Sequence, residues 1–145
     1  MKVFLKSDIN MRVKAFNENN LETVYDSPIA GGGESSATSP MEAMLQTLGA
    51  CSYMDMISIL RKKRKTISDF NMEIDAKRAE EHPKVFTEVF IKISVISPDA
   101  TLEDIKKAAE LSYNKYCSVA AMFKASGCRL DYSCEIISPS EIITK

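Results

Sequence analysis

Apolar and polar residues alternate at both ends of this chain and lose their alternation in the middle. Near the N-terminus, residues 3–5 and 11–16 read as short strands, the second alternating cleanly. Residues 17–20 (Asn-Glu-Asn-Asn) carry turn chemistry, and residues 23–25 predict a third strand. At Ser39 the pattern changes. Ser39-Pro40-Met41-Glu42 places serine at an N-cap, proline at the first helical position and glutamate at the third, a capping-box start. From there to Leu60 apolar residues fall on nearly every face, which predicts a helix lodged in a core or an interface. The run Arg61-Lys62-Lys63-Arg64-Lys65 closes it, cations suiting the negative end of the macrodipole.

Beyond the helix, residues 72–76 and 85–96 predict two strands joined by a turn at Glu80-Glu81-His82-Pro83. The odd-numbered face of the second strand is the more apolar. Thr101, with Asp104 three residues on, caps a further helix to about Tyr116. Ser118 restarts it through Phe123, and Gly127 is its stop. The last strand alternates most strictly: Cys128, Leu130, Tyr132, Cys134 and Ile136 against Arg129, Asp131, Ser133 and Glu135. The pattern is thus one of strands and helices mixed along the chain, and 145 residues suit a single domain spanning 1–145.

Composition narrows the chemistry. Nineteen basic and 20 acidic residues leave a net charge of -1, which recommends neither nucleic acid nor an anionic membrane as partner. No apolar run is long enough to span a bilayer or to act as a signal peptide, so a cytoplasmic location is expected. A single histidine excludes metal sites built on two or more. The glycine stretch at residues 31–36 lacks a following Gly-Lys-Ser/Thr, and reads as a mobile connection or lid instead of a phosphate loop.

Cysteine remains. The four cysteines are spaced 66, 11 and 6 residues apart, with no CxxC pair. Cys128 and Cys134 share one face of the last strand, about 20 Å apart at ~3.3 Å per residue, and read as small buried hydrophobes. Cys51 lies about three turns into the apolar helix among the small residues Gly49, Ala50 and Ser52. Cys117 lies at the break between two helical segments, where free amide N–H groups would favour its thiolate. The two are either separate structural residues or a dithiol brought together by folding; spacing leaves both open.

The ordered set Ser39-Pro40-Met41-Glu42, Leu48-Gly49-Ala50-Cys51-Ser52-Tyr53-Met54-Asp55 and Tyr116-Cys117-Ser118-Val119, followed by the final alternating strand, resembles the OsmC/Ohr family. These are osmotically inducible and organic-hydroperoxide-resistance proteins, and the likeness is to their shorter OsmC-like branch. The resemblance implies an α+β fold assembled as an intertwined homodimer, with two central cysteine-bearing helices packed against antiparallel sheets. It implies thiol-dependent reduction of organic hydroperoxides with no metal or flavin cofactor and an external dithiol as reductant. On that resemblance Cys51 is the peroxidatic nucleophile, Cys117 the resolving thiol and Glu42 the site's acid.

Two departures are visible. The family's peroxidases place glutamate directly after the proline, where this chain has Met41, so Glu42 can serve the capping box or the active site. No arginine occurs between residues 28 and 40 to activate the nucleophile. A non-catalytic dimer that binds an apolar small molecule, its pocket lined by Met41, Met44, Met54 and Met56, is the alternative from another class. A redox-sensing protein is another.

Overall fold

The computed structural model describes residues 1–137, and within it the chain divides into two compact units, Met1–Gln46 and Thr47 onward. In the first unit β1 (Val3–Ser7), β2 (Val13–Asn17) and β3 (Glu22–Tyr25) form an antiparallel sheet in chain order. The turn between β2 and β3 is built by Asn17, whose side-chain oxygen accepts from the Asn19 and Leu21 amides, as Asx turns do.

The glycine stretch is held, not open chain. Asp26 is 3% exposed, and its carboxylate gathers the loop around it. Oδ1 accepts from the Ser27 amide at 2.8 Å. Oδ2 accepts from the amides of Glu34 at 3.2 Å and Ser36 at 3.0 Å, and from the Ser36 hydroxyl at 2.8 Å. Gly33 fits because a β-carbon there would overlap the Ser27 carbonyl. The lid expected from composition is therefore a loop organised by one buried acid, a long-range role that local sequence does not display.

Helix α1 (Pro40–Lys62) begins at the expected proline. The capping box forms: Glu42 Oε2 accepts from the Ser39 amide and hydroxyl at 2.8 and 2.7 Å, and the Glu42 amide donates back to Ser39 Oγ at 3.4 Å.

In the second unit β4 (Asp69–Arg78) pairs antiparallel with β5 (Phe86–Ile96), and β6 (Arg129–Ile137) joins β5 in parallel, giving the order β4-β5-β6. A parallel neighbour needs a crossover connection. It is supplied by α2 (Leu102–Leu111), a π-helical turn (Ser112–Tyr116) and α3 (Ser118–Ala125). The fold is the mixed α+β one that the family resemblance implies.

The odd-numbered side of β5 is the inward one: Val89, Ile91, Ile93 and Val95 are buried with Ile105, Ala108 and Ala109 of α2 and Ala120 and Phe123 of α3. On α1 the buried positions Leu48, Ser52, Met56 and Leu60 recur every four residues and mark its packed stripe. A β-carbon on Gly49 would stand 3.0 Å from Ile74 Cδ1, so the small residues of α1 let β4 side chains come close. Tyr53 meets Phe70 edge-on at 5.1 Å, and Tyr113 lies against Tyr132 at 4.8 Å.

The basic run ending α1 also has work beyond the helix dipole. Lys63 and Lys65 reach Asp104 at 2.8 and 3.4 Å, and Lys65 donates to the Asp99 carbonyl at 2.8 Å. Asp104 closes the expected capping box with Thr101. One carboxylate therefore both starts α2 and anchors the end of α1.

Candidate functional site

Cys51 and Asp55 are four residues apart on α1, one turn along the same face. Both are half-buried, on the flank of the packed stripe. Cys117 is 3% exposed and forms the N-cap of α3. The π-helical turn delivers it: the Cys117 amide donates to the Ser112 carbonyl five residues back at 2.8 Å, after which the chain leaves the helix and restarts. π-Turns of this kind recur at functional sites. The result brings Cys51 Sγ, Cys117 Sγ and an Asp55 carboxylate oxygen all within 4.8 Å of one another. The dithiol that spacing left open is a spatial pair, and both thiols are free.

The surroundings of Cys117 are polar though enclosed. Its sulfur accepts from the Ala120 amide at 3.3 Å. Ser52 Oγ, which donates to the Leu48 carbonyl at 2.8 Å, lies 3.6 Å from the same sulfur. Ser112, fully buried, donates from its hydroxyl to Asp55 Oδ2 at 3.2 Å. Among the described residues no lysine or arginine is salt-bridged to Asp55.

The helix-terminus argument expected Cys117 to be acidified, and the opposite holds. Burial first, and then the Cys51 sulfur beside it, push the Cys117 thiol above its ordinary value, outweighing the Ala120 amide and Ser52. One N–H bond at a short helix start does not offset enclosure. Tyr113, 3% exposed, has a hydroxyl with no hydrogen-bond partner among the described residues. Burial holds it well above the ordinary phenol range, so it stays protonated.

The other two cysteines lie elsewhere. Cys128 is buried at the start of β6, and burial raises its thiol. Cys134 is half-buried on the inward face of β6, its thiol pushed up to about 11 by burial. Glu42 is engaged by Ser39, whose hydroxyl and amide hold its carboxyl below the ordinary range. Asp55, Ser112 and Tyr113 were not singled out from sequence as functional residues. The Cys51–Asp55 spacing of one helical turn was the available signal; the π-turn that presents Ser112 and Tyr113 had none.

Residues 31–133 match the family model for OsmC-like proteins. The chain belongs to the OsmC family. This OsmC-like protein is 34% identical to protein YhfA of Escherichia coli strain K12 over 108 residues, 74% of this chain and 80% of that protein. It superposes on a hypothetical protein from Aquifex aeolicus with a TM-score of 0.82 and 31% identity, covering 94% of this chain and 96% of the other. An organic hydroperoxide resistance protein OsmC from Legionella pneumophila shares the fold at a TM-score of 0.63 and 12% identity, over 94% and 96% of the two chains. No helix among the described residues of this OsmC-like protein is long and apolar enough to cross a membrane.

Proposed function

We propose that this OsmC-like protein is a thiol peroxidase that reduces organic hydroperoxides, working as a homodimer with an external dithiol as reductant. One observation carries the reading: two free thiols 66 residues apart in sequence lie within 4.8 Å of each other. The structural likeness to hydroperoxide resistance proteins supports the substrate class.

Cys51, the more exposed of the pair, is the nucleophile. Its thiolate attacks the distal peroxide oxygen; an S–O bond forms, the O–O bond breaks, and the alkoxide leaves as the alcohol after taking up a proton. Cys117, held as a thiol by burial, then attacks the Cys51 sulfenic acid. An S–S bond forms and water departs. Closing from a separation within 4.8 Å to a disulfide length of about 2.05 Å asks for rotation of the two side chains. The external dithiol reduces the disulfide and resets the pair. Glu42, assigned a role by the family resemblance alone, is kept as a carboxylate by its capping bonds.

The test is consumption of an organic hydroperoxide with excess dithiol. Cys51→Ser is expected to abolish turnover. Cys117→Ser is expected to allow one oxidation to the sulfenic acid, trapped by a dimedone-type reagent, without an intramolecular disulfide. Glu42→Gln, which keeps a side-chain acceptor for Ser39 but removes the charge, is expected to slow turnover at least tenfold. Wild-type turnover in Cys51→Ser refutes the peroxidase; an inert Cys51 together with a co-purified apolar ligand points instead to a binding protein.

A further inference from the structure

The electrostatics of the dithiol site raise a separate question. Two sulfurs and a carboxylate oxygen converge within 4.8 Å, and no salt bridge to Asp55 is present among the described residues. Three groups that can each carry negative charge are brought to one point, where the Ser52 and Ser112 hydroxyls and the Ala120 amide contact them. A carboxylate at that distance opposes a thiolate; a cation bound between all three would satisfy every one of them.

We infer that Cys51, Asp55 and Cys117 form a binding site for one divalent cation of the zinc class, held by two thiolates and a carboxylate, with its fourth position open to water. The donor set fits. Thiolates suit a borderline-soft cation such as Zn²⁺, and an S₂O set with an open fourth position is an accessible tetrahedral site. At a Zn–S length of ~2.3 Å, tetrahedral geometry puts the two sulfurs about 3.8 Å apart, so the sulfur separation needs to contract by no more than about 1 Å.

The partners around the ligands have the arrangement of an outer shell. Ser112 donates to Asp55 Oδ2 and leaves the other carboxylate oxygen to the cation. The Ala120 amide donates to Cys117 Sγ and steadies a charged sulfur. Such bonds orient ligands in thiolate sites. The Tyr113 hydroxyl is buried in the same enclosure, by Ser52 and Cys117. Cys51 and Asp55 are half-buried, so the open side faces out, with buried Cys117 behind.

Binding releases the two thiol protons to solvent and involves no change of oxidation state. A chain holding the cation has both thiolates occupied, so its Cys51 is shielded from peroxide and from alkylation. The site therefore has two exclusive states, a metal-held dithiolate and a free dithiol open to oxidation.

The test uses the reduced full-length protein with Co²⁺ as a spectroscopic probe and Zn²⁺ as competitor. The expected result is one Co²⁺ per chain, with a thiolate-to-cobalt charge-transfer band and the visible bands of a four-coordinate ion, displaced stoichiometrically by Zn²⁺. Cys51→Ser and Cys117→Ser are expected to remove the charge-transfer spectrum. Asp55→Asn is expected to keep a thiolate band but weaken binding roughly tenfold or more, since even outer-shell losses cost 10–100-fold. Its thermal melt, expected near wild type, separates this loss from misfolding, and Asp55→Glu should restore part of the affinity. The double variant Cys128→Ser/Cys134→Ser should bind as wild type.

Unchanged affinity in Asp55→Asn, a spectrum lost in the Cys128/Cys134 variant, or no binding at micromolar Co²⁺ overturns the site. Metal binding without hydroperoxide turnover would refute the peroxidase alone; turnover without metal binding would refute the metal site alone.

Discussion

Asp26 shows how one side chain can replace a stretch of regular structure. Its carboxylate is held below the ordinary range, first by the Ser36 amide and hydroxyl and then by the Ser27 and Glu34 amides. The native state therefore favours the ionised form more than the unfolded chain does. That contribution is complete above the ordinary aspartate value of about 3.9 and is lost as pH falls through the lower folded value. Protease nicking within residues 27–38 is expected to be slow at neutral pH and to accelerate as pH drops below 4. In Asp26→Asn it should be fast already at neutral pH. Equal nicking rates for the two proteins at pH 7, followed by mass spectrometry, would contradict this account.

The cysteines make the complementary point. That Cys128 and Cys134 share one side of the last strand was legible from alternation, because a β-strand's period of two fixes which side chains share a face; the pairing of Cys51 with Cys117 was not. Which thiol of the pair is harder to ionise was not legible. A helix start and a burial penalty act in opposite directions on Cys117, and only the three-dimensional enclosure shows that burial prevails.

At the scale of elements, the starts of helices were the most readable features. Ser39 with Glu42, and Thr101 with Asp104, both form the reciprocal bonds that the local sequence encodes. Thr101→Ala removes the side-chain acceptor for the Asp104 amide and a hydroxyl donor to its carboxylate. It is expected to cost about 1 kcal/mol, readable as a lower urea midpoint at unchanged slope. A midpoint within error of wild type would show that Lys63 and Lys65 hold Asp104 and α2 without the cap.

Less readable were the limits of β4, which runs beyond residues 72–76 because Asp69–Arg78 alternates throughout and pairs along β5. The π-helical turn was visible only as a break. An extra residue in a helical turn leaves no compositional mark, yet it places Ser112, Tyr113 and Cys117 at the site.

At the scale of the whole molecule, the all-round apolar character of α1 is only partly used. Leu48, Ser52, Met56 and Leu60 are buried, whereas Tyr53 and Met54 stay exposed, Met54 at 67%. The proposed homodimer would cover such residues, as an apolar helix surface demands. Sedimentation equilibrium is expected to give twice the chain mass of 16.2 kDa, and Met54→Glu should shift the population toward single chains. A wild-type protein that sediments as one chain would remove the dimer from the proposed function. The mixture of strands and helices was legible at this scale because both periodicities occur in long segments. The meeting of Cys51 with Asp55 and Cys117 was not, since it depends on how a crossover lands against a helix far upstream.

That crossover also sets an order of assembly. Strand β6 pairs with β5 at a sequence separation of 41 residues, Glu88 opposite Arg129, and contacts so distant in the chain close slowly. Cys117 travels on the connecting segment. Until β6 docks, Cys51 and Cys117 of the nascent protein are independent thiols, each free to form mixed disulfides with other molecules. The proposed dithiol is thus complete only once the crossover has landed, and a chain that stalls earlier exposes Cys51 and Cys117 without pairing them.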